Sequence, residues 1–310
     1  MASPVYSDYN LKKQIKFWLL NNPQFNPYEF SFRKFYRKLT SRLRTFPHFI
    51  IIGVGRAGTT ALYSYLIQHP SIHPALADDE KLASDIHFFE YMESDSISWY
   101  KSHFPILLPK LNSQKHPKIT GEFTSTYFYH SDVPERIYQL LPKVKLIVIL
   151  RNPIDKIYST YYQQFRYGEV STSFEETIDA ELRRIEILEG NPDLRSQHPG
   201  FSNFVSQNIL RHGIYADYFM KWFEFFNKKQ ILILNADDLK KDTKNTLQQV
   251  FEFLDVENHP IENLVMPAER TPARKYPKLN DITRKKLIEF YKPHNERLNK
   301  LLQRNFEWDR

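Results

Sequence analysis

The chain has 310 residues, 41% of them hydrophobic, with 24 Phe and 19 Tyr, enough bulky material for a sizeable core in one large domain or two ordinary ones. Cysteine is absent, which excludes disulfide frameworks, thiolate metal sites and cysteine nucleophiles and suits a reducing compartment, so a cytoplasmic protein is expected. The formal net charge of +7 is carried by residues 1–48, where nine Lys or Arg face only Asp8 and Glu29, so a surface-wide nucleic-acid footprint is excluded and no nucleic-acid partner is expected.

Residues 1–47 read as a basic helical arm. Phe17, Trp18, Leu19 and Leu20, then Phe32, Phe35, Tyr36, Leu39 and Leu43, recur at helical spacing among the cations. Packing on its own domain is the expected role, and weak contact with an anionic membrane surface is the alternative. No apolar run reaches the roughly 18–20 residues that span a bilayer, and no signal-peptide core is present, so no membrane span is expected. Residues 48–310 read as a single domain. Short apolar runs at about 48–54, 117–122, 144–150 and 230–235 read as strands covered on both faces. Helical patterns at 59–68, 153–165, 174–186, 214–226 and 243–254 alternate with them, and 280–304 reads as one or two closing helices. Together they predict an α/β fold with a central parallel sheet flanked by helices on both faces. The polar stretch 166–212, broken by Gly168, Gly190, Pro192, Pro199 and Gly200, reads as a lid, a substrate-facing loop or a plain surface insertion.

The first strand runs into 53-GVGRAGTT-60, which concentrates three of the chain's eight glycines in six residues. A strand, a glycine-rich turn and a helix start bring backbone N–H groups together on an anion. Gly55, Ala57, Gly58, Thr59 and Thr60 are the candidate donors, and Arg56 adds a fork-shaped cation. A nucleoside-triphosphate loop needs a lysine where Thr59 stands and a strand-end Asp for magnesium, whereas the strand KLIVIL ends in Arg151. In 145-KLIVILRNPIDKIYSTYYQQFR-166, Arg151 lies at the carboxyl end of a buried strand, where open α/β sheets bind ligands, and Ser159 follows two helical turns later. Arg151 and Ser159 make a second anion pocket, separate from the first, and predict a donor with phosphates at two ends.

The pair GxxRxGTTxL and LRNPxDKxxSxY resembles the PAPS-dependent sulfotransferase family, more closely its heparan-type carbohydrate and bacterial branch than its phenol and steroid branch. Similarity continues through 85-DIHFFE-90, 121-GEFTSTYF-128, 213-GIYADYFMKWFEFF-226, 272-PARKYP-277 and 293-PHNERL-298, over roughly residues 48–308. The resemblance implies a P-loop-kinase-like sheet, PAPS as donor with PAP as product, no metal, and a carbohydrate or small-molecule acceptor. It also implies 5′-phosphosulfate binding at residues 53–60, 3′-phosphate binding at Arg151 and Ser159, and donor contacts from Tyr215, Arg274 and Lys275. Arg270 belongs to the same basic loop. The branch's base resembles a Glu two residues before the His of KExHFF. Here Asp85 replaces that Glu and Ser84 the Lys, so Asp85 and His87 are the candidate bases, with Glu122 as a second carboxylate or acceptor-orienting group. Phe123 stands where the branch carries the Lys of EKT, which removes an expected polysaccharide contact or catalytic cation. A sulfotransferase is the leading expectation. A small-molecule or nucleotide kinase with a degenerate loop, and a basic docking protein with a vestigial pocket, are the alternatives.

Overall fold

Uninterrupted apolar runs can stay extended only where both faces are covered, and the strands of this chain are buried accordingly. The computed structural model describes residues 32–76, 85–92, 97–106, 118–190, 209–260 and 276–308. Strands β1 (Phe49–Gly53), β2 (Ile72–Pro74), β3 (Ile119–Phe123), β4 (Lys145–Leu150) and β5 (Ile231–Asn235) form a parallel sheet in the order β2-β3-β1-β4-β5. β1 is central, with Ile51 paired to Phe123 on one side and to Ile147 on the other. The chain leaves β1 toward the β2 edge and leaves β4 toward the β5 edge. The carboxyl ends of β1 and β4 therefore flank the switch point where such sheets bind ligands.

The helices are α1 (Phe32–Leu39), α2 (Thr59–Leu66), α3 (Ile97–Ser102), α4 (Val133–Leu140), α5 (Pro153–Arg166), α6 (Phe174–Gly190), α7 (Tyr215–Phe225), α8 (Ala236–Lys241), α9 (Thr243–Phe253) and α10 (Asp281–Leu302). One core surrounds the sheet. A second joins Ile154 and Ile157 of α5, Phe174 and Ile178 of α6, Leu210, and Leu287 and Tyr291 of α10. The four strands read from the sequence are present within a residue or two, whereas three-residue β2 gave no signal. The closing region is one helix that continues through Pro293. Part of the expected insertion at 166–212 is helix α6, packed into the second core, and 191–208 lies outside the described residues. In the described part of the basic arm, Arg37 donates to the Leu76 carbonyl (3.2 Å) and Arg44 to that of Phe104 (2.6 Å). Among the described residues no helix is long and apolar enough to cross a membrane.

Candidate active site

The loop after β1 closes on itself before α2 begins. The Val54 N–H donates to the Ile149 carbonyl (3.0 Å), that of Gly55 to Ser125 (3.1 Å) and that of Ala57 to Val54 (3.2 Å). Gly55 and Ala57 thus shape the loop, correcting the expectation that their amides face a ligand. The amides of Thr59 and Thr60, in the first turn of α2, have no intrahelical acceptor and lie at the positive end of the helix. Gly58 caps that helix at φ 101°, a conformation that side chains disfavour.

At the end of β4, Asn152 caps α5 by accepting the Ile154 N–H (2.9 Å), with Pro153 in the first turn. Arg151, in the corner, donates through Nη1 to the Arg56 carbonyl (3.0 Å). Its own carbonyl accepts from the Tyr215 hydroxyl (2.8 Å). Tyr215 is 1% exposed, so it braces this corner from inside, correcting the expectation that it faces the donor. Arg56 adopts φ 70° and sends its guanidinium across the gap, with Nε donating to Ser159 Oγ (3.0 Å) and Nη2 to the Tyr276 hydroxyl (3.2 Å). The two anion motifs expected to form separate pockets therefore share one cation. The Tyr276 ring stacks on Tyr162 (centroids 4.8 Å, 17°). Ser84, Arg270, Arg274 and Lys275 lie outside the described residues.

The segment carrying Asp85 and His87 lies across the carboxyl end of β3. The Asp85 N–H donates to the Phe123 carbonyl (3.0 Å), and the His87 N–H to Thr124 Oγ1 (3.4 Å). Asp85 and His87 have φ 52° and 58°, so with Arg56 three strained non-glycine residues meet at this end of the sheet. Such conformations cost on the order of 1–3 kcal/mol each and concentrate at functional sites. Asp85 Oδ1 accepts from both the N–H and the hydroxyl of Ser125, each at 2.9 Å.

His87 Nδ1 is 2.6 Å from Glu90 Oε2. A carboxylate only accepts, so Nδ1 carries the proton and Nε2 of the neutral ring holds the lone pair. The Thr126 hydroxyl donates to Glu90 Oε1, and His130 Nε2 lies 3.6 Å from the same oxygen. Burial alone would lower the pKa of His87, but the Glu90 hydrogen bond and the charges of Glu90, Asp85 and Glu122 outweigh it and hold His87 above its ordinary value. Burial alone would raise Glu90, yet hydrogen bonds from His87 and Thr126 and the charges of His87 and His130 bring it below its ordinary value. Glu90 is a site residue that sequence reasoning missed. Its spacing of three from His87 in DIHFFE was the available signal.

Glu122 is fully buried, accepting from the hydroxyls of Tyr100 (2.6 Å) and Thr124 (2.9 Å). Burial pushes its carboxyl up to about 7 despite those hydrogen bonds. It lies beneath the site, electrostatically coupled to His87 and Asp85, a place that suits the second carboxylate of the two expected roles better than direct contact with an acceptor. Phe123 is 1% exposed against Tyr63 (4.9 Å between centroids), so that position offers no surface contact.

Comparison with known proteins gives the family and the fold. A family model described as a sulfotransferase domain matches residues 46–298. The chain is 28% identical over 302 residues to the bifunctional heparan sulfate N-deacetylase/N-sulfotransferase 4 of Mus musculus, covering 87% of this chain and 32% of that protein. It is 29% identical over 296 residues to the bifunctional heparan sulfate N-deacetylase/N-sulfotransferase of Drosophila melanogaster, covering 86% of this chain and 27% of that one. The chain thus spans about a third of the length of these curated relatives. A crystal structure of a sulfotransferase from Alicyclobacillus acidocaldarius superposes with a TM-score of 0.63 at 21% identity, over 86% of this chain and 100% of the other. That likeness gives the fold as the P-loop-kinase-like parallel sheet of sulfotransferases. With the family model spanning most of its length, the chain belongs to the sulfotransferase family.

Proposed function

We propose that the chain transfers the sulfuryl group of PAPS to an amine or hydroxyl of a carbohydrate or small-molecule acceptor and releases PAP. The observation that carries this reading is the hydrogen bond between Arg56 and Ser159 (3.0 Å), which joins the loop after β1 to the helix after β4. A donor with anionic groups at two ends needs a grip of this kind. Arg56, Arg151, Ser159 and the first-turn amides of α2 are all suited to anionic oxygen, and Thr59 stands where a magnesium-nucleotide loop carries its lysine. The names of the relatives, N-sulfotransferases of heparan sulfate, favour the amine of a glucosamine unit as acceptor.

In the displacement, the acceptor nitrogen or oxygen attacks sulfur as the bond from sulfur to the bridging oxygen breaks. The electron pair leaves with PAP. Neutral His87 takes the acceptor proton at Nε2, while Glu90 holds Nδ1–H and stabilises the imidazolium that forms. Helix-terminal amides and Arg56 receive the charge that develops on the leaving phosphate. Calorimetric titration with PAP, followed by labelled PAPS with N-deacetylated and N-acetylated heparan sulfate, tests the reading. PAP binding and label transfer to the N-deacetylated polymer are expected. Failure to bind PAP at micromolar concentrations would overturn it.

A further inference from the structure

We infer that Asp85, in the place where the related branch carries its carboxylate base, is a positioning residue: a strut that ties the His87 segment to the donor loop through Ser125. The inference rests on the sulfuryl-transfer reading and adds a role for Asp85 and Ser125 within it.

Three hydrogen bonds make the strut. Asp85 Oδ1 accepts from the Ser125 N–H and from its hydroxyl, both at 2.9 Å. The Ser125 carbonyl then accepts the Gly55 N–H at 3.1 Å. One residue of the β3 loop thus touches both the segment that carries His87 and the loop that would hold the donor. The lone pairs of Oδ1 are engaged in holding this geometry. His87 Nδ1 is held by Glu90, and Nε2 has no hydrogen-bond partner among the described residues.

The choice of Asp over Glu follows from the backbone. Residue 85 has φ 52°, in the left-handed region where Asp and Asn are the side chains best tolerated. A carboxylate one methylene shorter can turn back onto the Ser125 amide, two strand-end residues beyond the Phe123 carbonyl that takes the Asp85 N–H. The substitution that weakens a base in the family pattern is the one this strut requires.

The two roles separate by conservative replacement. Asp85→Asn keeps an Oδ1 acceptor and the left-handed preference but has no basicity, whereas Asp85→Ala loses both oxygens. PAP release from PAPS with N-deacetylated heparan sulfate, PAP affinity and the pH–rate profile are measured for the parent, both variants and Ser125→Ala. Asp85→Ala should lower kcat about 100-fold, as misplacement of a reacting group does. Asp85→Asn should recover kcat to within about fivefold of the parent, the loss expected for a neutral in place of a charged hydrogen bond. Its acid limb should move to lower pH, because the Asp85 charge no longer raises His87, and Ser125→Ala should fall between the two in kcat. If Asp85→Asn binds PAP yet is as slow as Asp85→Ala, Asp85 is the base and the strut is overturned. Hydrogen exchange at the Ser125 amide is followed in the same variants and decides the matter if the parent shows no turnover. Protection in Asp85→Asn and loss of it in Asp85→Ala supports the strut, and equal protection in both overturns it. A parent that fails to bind PAP instead refutes the donor reading, so the two failures are told apart.

Discussion

Arg56 works at two ends. Its backbone carbonyl accepts from Arg151 while its guanidinium reaches Ser159 and Tyr276, so replacing the side chain keeps the first contact and cuts the loop's link to α5. Lysine cannot reproduce a fork that donates from Nε and Nη2 at once. Arg56→Lys and Ser159→Ala should each weaken PAP binding about tenfold or more, measured by calorimetry, as loss of a charge-assisted hydrogen bond does. With His87 as the proposed base, the pH dependence follows its titration. Because its pKa is raised, the acid limb of kcat should lie above the ordinary histidine value of 6.5, with activity rising as the ring loses its proton. Glu90→Gln removes the raising partner, so the limb should move to lower pH while kcat falls from lost orientation. Stability follows from the same two shifts. The depressed Glu90 contributes above 4.5 and its share is lost as pH falls through its folded value; the raised His87 contributes fully below 6.5 and its share is lost as pH rises through its folded value. The Tm gap between parent and Glu90→Gln should therefore be widest between those two values. Arg56, Arg151 and Ser159 were legible because residue type and spacing after a strand carry their chemistry. Glu90 was not, because its contact depends on a left-handed turn at His87 that no periodicity announces.

At the scale of elements, strands β1, β3, β4 and β5 were readable because a strand buried on both faces must be apolar throughout. Strand β2 is too short to make such a run, and α3 and α8 are six residues each, below the length at which helical periodicity is visible. Helix α10 continues through Pro293, against a cost of about 3 kcal/mol for an interior proline. Packing outweighs that cost: Leu287 and Tyr291 are fully buried, and the Tyr291 hydroxyl donates to the Leu210 carbonyl (2.7 Å). Helix α5 carries a different burden. Lys156, one turn before Ser159, is 2% exposed with Nζ 4.8 Å above the Tyr129 ring, near the half-buried His212. Burial pushes its ammonium down to about 7 from 10.5. Between those values the unfolded chain binds the extra proton, so this group makes stability rise with pH, by at most about 1.4 kcal/mol per pH unit. Lys156→Met should raise Tm at neutral pH and flatten its rise between pH 7 and 9, as followed by thermal melts. An unchanged slope would show that Lys156 remains charged through that range.

Across the whole molecule, the proposed donor site lies where two cores meet. The loop after β1 rests on the core around the sheet, while Ser159 projects from a helix whose Ile154 and Ile157 belong to the second core. Among the described residues, Arg56 and Arg151 bring positive charge to the site, whereas the chain's net excess sits in the arm at residues 1–48. Under the proposed function, recognition is local and its strength depends on bridging the two cores with anionic groups at both ends of one ligand. A ligand that binds only the native state stabilises it by mass action, about 2.7 kcal/mol at a hundred times its Kd. For a chain of this size that is a Tm increase of about 4 °C. AMP offers the 5′-phosphate without the 3′-phosphate. At equal concentration PAP should raise Tm clearly more than AMP, and Ser159→Ala should bring the two shifts together by reducing that of PAP. Equal shifts in the parent protein would mean that the Arg56–Ser159 contact does not grip a second phosphate, leaving the loop as the sole anion site.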